Sequence, residues 1–166
     1  MLGQQPAPEL SISANGSHDV DLYQGWPLIV RATIKNSQRY SGSPNPSPLV
    51  IAQSGLSWTD AIQFTVVSSS GQMSQWNFTL VGLPSDLTLQ PRSYVRATWQ
   101  MSGDAVAALS LDTYKLSASL VASNSSGWNG SVQSTPINIR VTAEPSPLTA
   151  DLEADKAMLV AEYAVQ

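Results

Sequence analysis

Short segments in which apolar and polar residues alternate recur throughout residues 10–142, and clusters of Gly, Pro, Ser and Asn separate them. In the segment LIVRATIK, the alternate residues that begin with the first leucine are all apolar: Leu28, Val30, Ala32 and Ile34. A period of two places such residues on one side of a β-strand. Many short strands at hairpin-like spacing are typical of an antiparallel sandwich. The pattern therefore predicts an all-β sandwich of seven to nine strands with no internal helix of useful length.

The other predicted strands follow the same rule. They lie in ELSISA, LVIA, AIQFTVV, SQWNFTLVG, LTLQ, SYVRATWQM, TYKLSASLVAS and PINIRVTA. The segment SSSGQM is predicted to be a hairpin connection between AIQFTVV and SQWNFTLVG, and NSSGWNGSVQST is predicted to be a polar loop. The proline-rich segment YSGSPNPSP is predicted to be an exposed loop, since prolines remove backbone donors and fix φ.

Composition excludes several classes of protein. Charged residues make up 12% of the chain and the net charge is −4, with eight Lys and Arg that are scattered singly in the sequence. No basic stripe is therefore expected, which argues against a nucleic-acid partner. The absence of cysteine rules out disulfides and thiolate metal sites. No apolar run approaches the ~20 residues that span a bilayer. Low charge with abundant Ser and Thr favours a secreted, periplasmic or cell-surface location.

The two ends of the sequence differ from the centre. Residues 1–9 are predicted to be a linker without signal-peptide features, so that Met1 precedes a mature or internal segment. Residues 144–148 are predicted to be a Pro-rich linker, and residues 149–166 a short helix with Thr149 as N-cap. The helix has a net charge of −3 from Thr149 onward, leaving −1 for the rest. It is expected to begin a truncated following domain.

One face of this predicted helix carries Leu152, Leu159 and Tyr163. An isolated helix of this length is marginal in water. The three residues are therefore a candidate packing face. It would dock on the chain's own sandwich, on the following domain, or on a second copy in a homodimer.

The segment LDTYKLSASLV, from Leu111 to Val121, resembles a corner of immunoglobulin-like and fibronectin-type-III-like sandwiches. In that corner, a tyrosine near the start of the penultimate strand donates a hydrogen bond to the preceding backbone. QGWPLIVRATIKN is similar to the second strand of bacterial immunoglobulin-like domains, and the resemblance covers about residues 10–143. It implies structural roles for Tyr114 and Asp112, while Trp76 and Trp99 are expected in the core. The alternative is that Tyr114 is merely a half-buried strand residue.

No catalytic, cofactor-binding or metal-binding residue is predicted. His18 lies beside Asp19 and Asp21, and the two carboxylates share a face that a hard cation could use, yet no further acidic cluster completes such a site. We therefore interpret this segment as a solvated turn that leads into a strand. The serines match no nucleophile elbow. The remaining carboxylates of the central region lie in turn-like segments: Asp60, Asp86, Asp104 and Asp112.

Two tryptophans lie in polar, glycine-containing segments, Trp58 in SGLSWTD and Trp128 in NSSGWNGS. With the neighbouring Asn129, they are candidate contacts for a ligand or partner, because an exposed indole can stack on a sugar or anchor an interface. The alternative is that both fold back as lids on the core. Four N-glycosylation sequons are present, which matter only for a eukaryotic source.

These observations lead to one functional hypothesis and one alternative. The first is a non-catalytic immunoglobulin-like module of a bacterial envelope or cell-surface protein, acting in protein–protein interaction or as a spacer. Its partners are another protein or the following domain. The alternative is a carbohydrate-binding module that uses the loop tryptophans to bind a glycan.

Overall fold

The computed structural model describes residues 7–37, 48–52, 57–82, 86–122 and 128–143. These ranges contain twelve strands, one 3₁₀ turn and one five-residue helix. The elements are β1 Glu9–Ala14, β2 Asp19–Tyr23, β3 Leu28–Lys35, β4 Leu49–Ala52, the 3₁₀ turn Trp58–Ala61, β5 Ile62–Val67, β6 Met73–Ser74, β7 Thr79–Val81, β8 Leu87–Leu89, β9 Tyr94–Met101, α1 Gly103–Ala107, β10 Asp112–Ala122, β11 Gly130–Gln133 and β12 Ile137–Thr142.

Two sheets form the sandwich. The first has the order β1-β3-β9-β7, and the second has the order β2-β12-β10-β5-β6 with β11 also paired to β10. Strand β2 runs parallel to β12, whereas the other pairs are antiparallel. Strands β4 and β8 form a separate two-stranded sheet. This order of strands is that of an immunoglobulin-like sandwich. The predicted all-β immunoglobulin-like sandwich is confirmed, whereas the helix predicted with it lies outside the described residues. The described ranges hold twelve strands against the seven to nine predicted, and the two main sheets hold nine if β11 and β12 count as one interrupted strand.

The core follows the alternation seen in the sequence. Along β3, Leu28, Val30, Ala32 and Ile34 are fully buried, each with 0% of its surface exposed. The same period places the apolar residues of β1 and β10 between the sheets. Burial of apolar side chains is the main favourable contribution to folding. The faces that were predicted to point inward therefore do so.

The segment SQWNFTLVG is not the single strand that the alternation predicts. Only β6, at its beginning, continues the hairpin with β5, and Thr79–Val81 pairs instead with β9 in the opposite sheet. Residues 75–78 cross between the sheets and bring Phe78 to 4.9 Å from Phe64, measured between ring centroids. A chain that passes between two sheets can bury alternate aromatic residues without a ladder of hydrogen bonds. The alternation in SQWNFTLVG therefore correctly indicated buried aromatic residues, but the pairing with β5 that it predicted for the whole segment is wrong.

The predicted loop NSSGWNGSVQST contains a strand as well. Strand β11 pairs with the second half of β10 and β12 with its first half, with a shift of one residue between the two ladders. Ser134 bridges the break, since its Oγ accepts from the Ala118 amide and its own amide donates to the Ala118 carbonyl, both at 2.9 Å. Pro136 follows, and it has no amide to donate. The Ser134 hydroxyl therefore takes the place of a backbone acceptor at this break, and β10 stays paired there although the segment is polar.

Residues 1–6 and 144–166, which include most of the predicted N-terminal linker and all of the predicted Pro-rich linker, lie outside the described residues, whereas Pro8 is buried and Glu9 begins β1. The helix of residues 149–166, with Leu152, Leu159 and Tyr163, lies outside the described residues. Within the described ranges, no helix is long and apolar enough to cross a membrane.

Candidate functional site

Tyr114 forms the corner that the resemblance implies. Its hydroxyl donates to the carbonyl of Ser110 at 2.9 Å, and the residue is 4% exposed. The ring packs edge-on against Trp76, with 5.0 Å between centroids. Burial raises the pKa of Tyr114, and the neighbouring charge of Asp112 adds to the effect. The role of Tyr114 is therefore structural.

Asp112 ties two loops together. Its carboxylate accepts hydrogen bonds from the hydroxyl and amide of Ser69, in the β5–β6 turn, and from the amide of Thr113. The hydrogen bond from the Ser69 hydroxyl is the main cause that lowers the pKa of Asp112, followed by that from the Thr113 amide. Asp112 thus joins the β5–β6 hairpin to the start of β10.

Trp76 and Trp99 are core residues, as expected. Trp76 is 8% exposed and Trp99 is 6% exposed. Trp99 packs edge-on against Phe64, with 5.1 Å between centroids. Together with Tyr114, these rings fill the space between the sheets in this chain without cysteine.

Of the two alternatives for Trp58 and Trp128, the structure agrees with the second, in which both indole rings fold back on the core and are not exposed. Each is only 4% exposed and belongs to the core. Trp58 opens the 3₁₀ turn, where Ser57 Oγ accepts from the Thr59 amide and turns the chain inward.

Trp128 is held in place by its backbone and by its ring. Its amide donates to the Val50 carbonyl at 2.9 Å, and its indole packs over Gly130, where an added Cβ would lie 3.0 Å from the ring. Only Asn129, among the three candidate contacts, is exposed. A sugar cannot stack on a buried indole, so the carbohydrate hypothesis loses the residues on which it rested.

Asp19 and Asp21 bind an arginine. The Arg140 guanidinium lies 2.9 Å from an Asp19 oxygen and 2.7 Å from an Asp21 oxygen, across the parallel pair β2–β12. Hydrogen bonds to Asp21 and then Asp19 raise the pKa of Arg140. Within the described residues, no three His, Cys, Asp or Glu side chains gather as metal ligands. The shared carboxylate face is thus an ion-pair network.

A surface that the sequence interpretation missed lies on the outside of the four-stranded sheet. Pairing aligns Lys35 with Glu9 and Tyr94, and it aligns Arg96 with Thr33 of β3. Arg31, Lys35, Tyr94 and Arg96 alternate with core residues and are exposed. The Arg96 guanidinium stacks over the Tyr94 ring at 5.0 Å from its centroid. We call Arg31, Lys35, Arg92, Tyr94 and Arg96 the basic face.

Arg92 joins this face from an unusual backbone conformation. It has φ of 66°, in a turn closed by a hydrogen bond from the Ser93 amide to the Gln90 carbonyl at 3.0 Å. The backbone of Asn36 holds the turn in place. Its carbonyl accepts a hydrogen bond from the Arg92 amide at 2.8 Å, and its backbone amide donates one to the Ser93 carbonyl at 2.9 Å. Glycine or asparagine normally occupies this position of a turn, since a positive φ is unfavourable for other residues.

Arg92, Lys35, Glu9 and Ser37 line a depression of about 310 Å³. The Ser37 hydroxyl is buried and has no hydrogen-bond partner among the described residues. Two cations and one carboxylate at this end of the sheet give the depression a positive charge.

The basic face concentrates charge in one place. Its four bases are half of the eight Lys and Arg in the chain, and Glu9 is the acid beside them, which gives a local charge of +3 in a protein of net charge −4. Between residues of the described ranges, ion pairs form only at Arg140. The sequence scatters these residues singly, and only the β1-β3-β9 pairing brings them together. The sequence feature that could have revealed this surface is that the basic residues of β3 and β9 alternate with core residues and therefore point outward.

Comparisons with known proteins bear on the fold. No family model matches the chain, and no curated protein sequence matches it. Among solved structures, a family 123 glycoside hydrolase from Clostridium perfringens is similar, with a TM-score of 0.51 and 9% identity over 86% of this chain. The chain spans 28% of the length of that enzyme. This likeness shows a shared fold alone.

Two further solved structures have lower similarity. The CARDB domain of a Pyrococcus furiosus protein has a TM-score of 0.39 and 12% identity, covering 86% of this chain and 95% of that one. The major subunit of type I aggregative adherence fimbriae from Escherichia coli also has a TM-score of 0.39 and 12% identity, covering 87% of this chain and 100% of that one. The strand order of the two sheets, and not these two likenesses, defines the chain as an immunoglobulin-like β-sandwich domain.

Proposed function

We propose that this chain is a non-catalytic immunoglobulin-like module that binds another protein through the basic face. The observation that carries the proposal is the placement of Arg31, Arg96 and the 59%-exposed Tyr94 on one face of the four-stranded sheet. Tyrosine and arginine are the residue types enriched in protein interfaces, and they carry much of the binding energy there.

The chemistry of the face favours an acidic partner. Arginine binds carboxylates through two parallel hydrogen bonds, which a lysine cannot do. Arg31, Lys35 and Arg96 make no ion pair within the described part of the chain. Each can therefore pair with a partner's carboxylate without first breaking a salt bridge to a described residue. Opposite charge also speeds association.

The size of the face fits a small interface. Strands β3 and β9 each have eight residues, so at about 3.4 Å per residue the face is about 27 Å long. Its four strands, about 4.8 Å apart, make it roughly 15–20 Å wide. About 500 Å² on this side is at the low end for specific complexes, which is typical of transient contacts.

We also propose that the module belongs to a bacterial envelope or cell-surface protein, where it acts as a spacer between domains in addition to binding. The low charge and high Ser and Thr content support this location. The cysteine-free core, which is held by packed aromatic rings, is compatible with it.

The test is a binding screen against phage-displayed extracytoplasmic protein domains, with a glycan array in parallel. The Arg31→Ser/Arg96→Ser variant is compared with wild type, and Lys115→Ser, an exposed base on the outer side of β10, is the matched control. We expect binders whose Kd rises at least tenfold for the double variant and stays unchanged for the control. Binders affected equally by both variants, or glycan binding alone, would contradict the proposal.

A further inference from the structure

We propose that the acidic segment 144–166 of this same chain docks on the basic face. The inference rests on the proposed function, since it assigns an intramolecular occupant to the same surface. The two are tested separately, because an external partner and a tethered segment leave different signals.

The charge of the chain is divided between these two parts. Segment 144–166 contains one base, Lys156, and five acids: Glu144, Asp151, Glu153, Asp155 and Glu162. Its net charge of −4 equals that of the whole chain, so residues 1–143, with seven acids and seven bases, are neutral. Within these neutral residues, the basic face gathers a local charge of +3, which is opposite in sign to the charge of segment 144–166.

The connection is long enough for the segment to reach the face. Strand β12 ends at Thr142, which pairs with Tyr23 of β2, the edge strand of the second sheet. The neighbouring edge of the first sheet is β1, which packs against β10 and β12. Residues 143–148 span about 20 Å when extended, at about 3.3 Å per residue. That length is sufficient to reach around the β1 edge to the outside of the first sheet.

The dimensions of the two parts agree. The helix predicted for residues 149–166 would be about 27 Å long, at 1.5 Å per residue. Strand β3, with eight residues at about 3.4 Å, has the same length. A helix on the face could therefore contact the bases along most of the strand.

Apolar residues on this side of the sheet complete the match. Ile29 is 39% exposed and Val81 is 53% exposed, and both point outward with the basic residues. They offer apolar contacts to the face of the predicted helix that carries Leu152, Leu159 and Tyr163. Basic residues can pair with the acids of an amphipathic helix while their apolar neighbours pack against its apolar face. A surface that carried only charges would offer the first kind of contact alone.

Tethering makes a weak contact sufficient. A segment joined by a short linker has an effective concentration in the millimolar range, so even a millimolar Kd gives substantial occupancy. Because the bases are exposed, salt screens the attraction, with a Debye length of about 10 Å at 0.1 M and 3 Å at 1 M. Docking should therefore weaken strongly as the salt concentration rises.

The experiment uses the full chain. Since the sequence has no cysteine, Ala157→Cys gives a single site for a nitroxide label. Paramagnetic broadening of ¹⁵N-amide signals then maps what lies near the segment. We expect the Thr33 and Arg96 amides to lose at least half their intensity at 20 mM NaCl and to recover it at 0.5 M NaCl. The Lys115 amide, on the other sheet, should be unaffected.

Charge reversal provides the matched test. In the labelled chain, Arg31→Glu/Arg96→Glu should abolish the broadening, and adding Glu153→Lys/Asp155→Lys should restore part of it. Lys115→Glu should change nothing. Retained dispersion of the amide signals shows that each variant is folded, since all these positions on the sandwich are exposed.

Three outcomes would overturn the proposal. They are unchanged broadening after charge reversal, absence of broadening at low salt, and broadening transferred from labelled ¹⁴N chains to unlabelled ¹⁵N chains at equal strength. The last would place the segment on a second copy. If the face gives no broadening while the screen still yields binders sensitive to Arg31→Ser/Arg96→Ser, only the docking of segment 144–166 fails. If neither signal is found, the proposed function fails with it.

Discussion

Replacement of Tyr114 by phenylalanine tests the corner with a single atom. The hydroxyl of Tyr114 donates to the Ser110 carbonyl at 2.9 Å, whereas the ring is buried against Trp76. Tyr114→Phe removes the hydrogen bond and keeps the ring in place. The change therefore isolates the contribution of the hydroxyl from that of aromatic packing.

The expected loss can be worked out from the surroundings. A hydrogen bond contributes about 0.5–1.5 kcal/mol net, and an acceptor left unpaired in the interior adds to the loss. Ser110 is exposed, so water can replace the lost donor at its carbonyl. We expect a decrease in the free energy of unfolding of about 1 kcal/mol, which corresponds to a Tm lower by about 3 °C for a domain of this size.

The measurement is thermal and urea unfolding followed by circular dichroism at neutral pH. Tyr94→Phe is the control, because Tyr94 is 59% exposed on the sheet surface and the same atom is removed. Its Tm should equal that of wild type. If Tyr114→Phe and Tyr94→Phe unfold at the same temperature, the corner does not stabilise this sandwich and the reasoning is refuted.

Three further substitutions test other parts of the structure. The pKa of Asp112 is lowered by folding, so its stabilisation is present above the aspartate pKa of the unfolded chain and is lost as pH falls through the lowered value. Asp112→Asn should lower Tm at pH 7, and its difference from wild type should vanish in acid; a constant difference would contradict this. Trp128→Ala should cost about 3–5 kcal/mol, since it empties a core position; unchanged urea unfolding would show that the indole is a surface group. Arg92→Gly should raise stability by about 1 kcal/mol because it relieves a positive φ; a lower Tm would mean that the arginine side chain stabilises the fold.

One structural residue could be predicted from the sequence. The resemblance of LDTYKLSASLV to the corner of immunoglobulin-like domains implied the Tyr114 hydrogen bond, which is local and spans four residues between donor and acceptor. By contrast, the sequence left open whether Trp58 and Trp128 are exposed or buried. Their polar, glycine-containing neighbours describe the backbone, whereas the direction of each indole is set by contacts such as that of Trp128 with β4.

Local sequence pattern is sufficient to show which residues face inward. A strand has a period of two, so the alternation in segments such as LIVRATIK specifies the core face wherever the strand pairs. Fold class and the burial of Val30 and Ile34 follow from this local rule.

Which strands lie side by side, by contrast, is set by the folded structure as a whole. Strands β3 and β9, which bring Arg31 and Arg96 onto one face, pair although these residues are about 65 positions apart, and strands β7 and β9, whose pairing follows the crossing of residues 75–78, are about 20 positions apart. Pairing at such distances is selected by the packing of the whole core and by the cost of closing loops, neither of which a local pattern contains. The basic face exists for this reason in the folded chain and is invisible in its sequence.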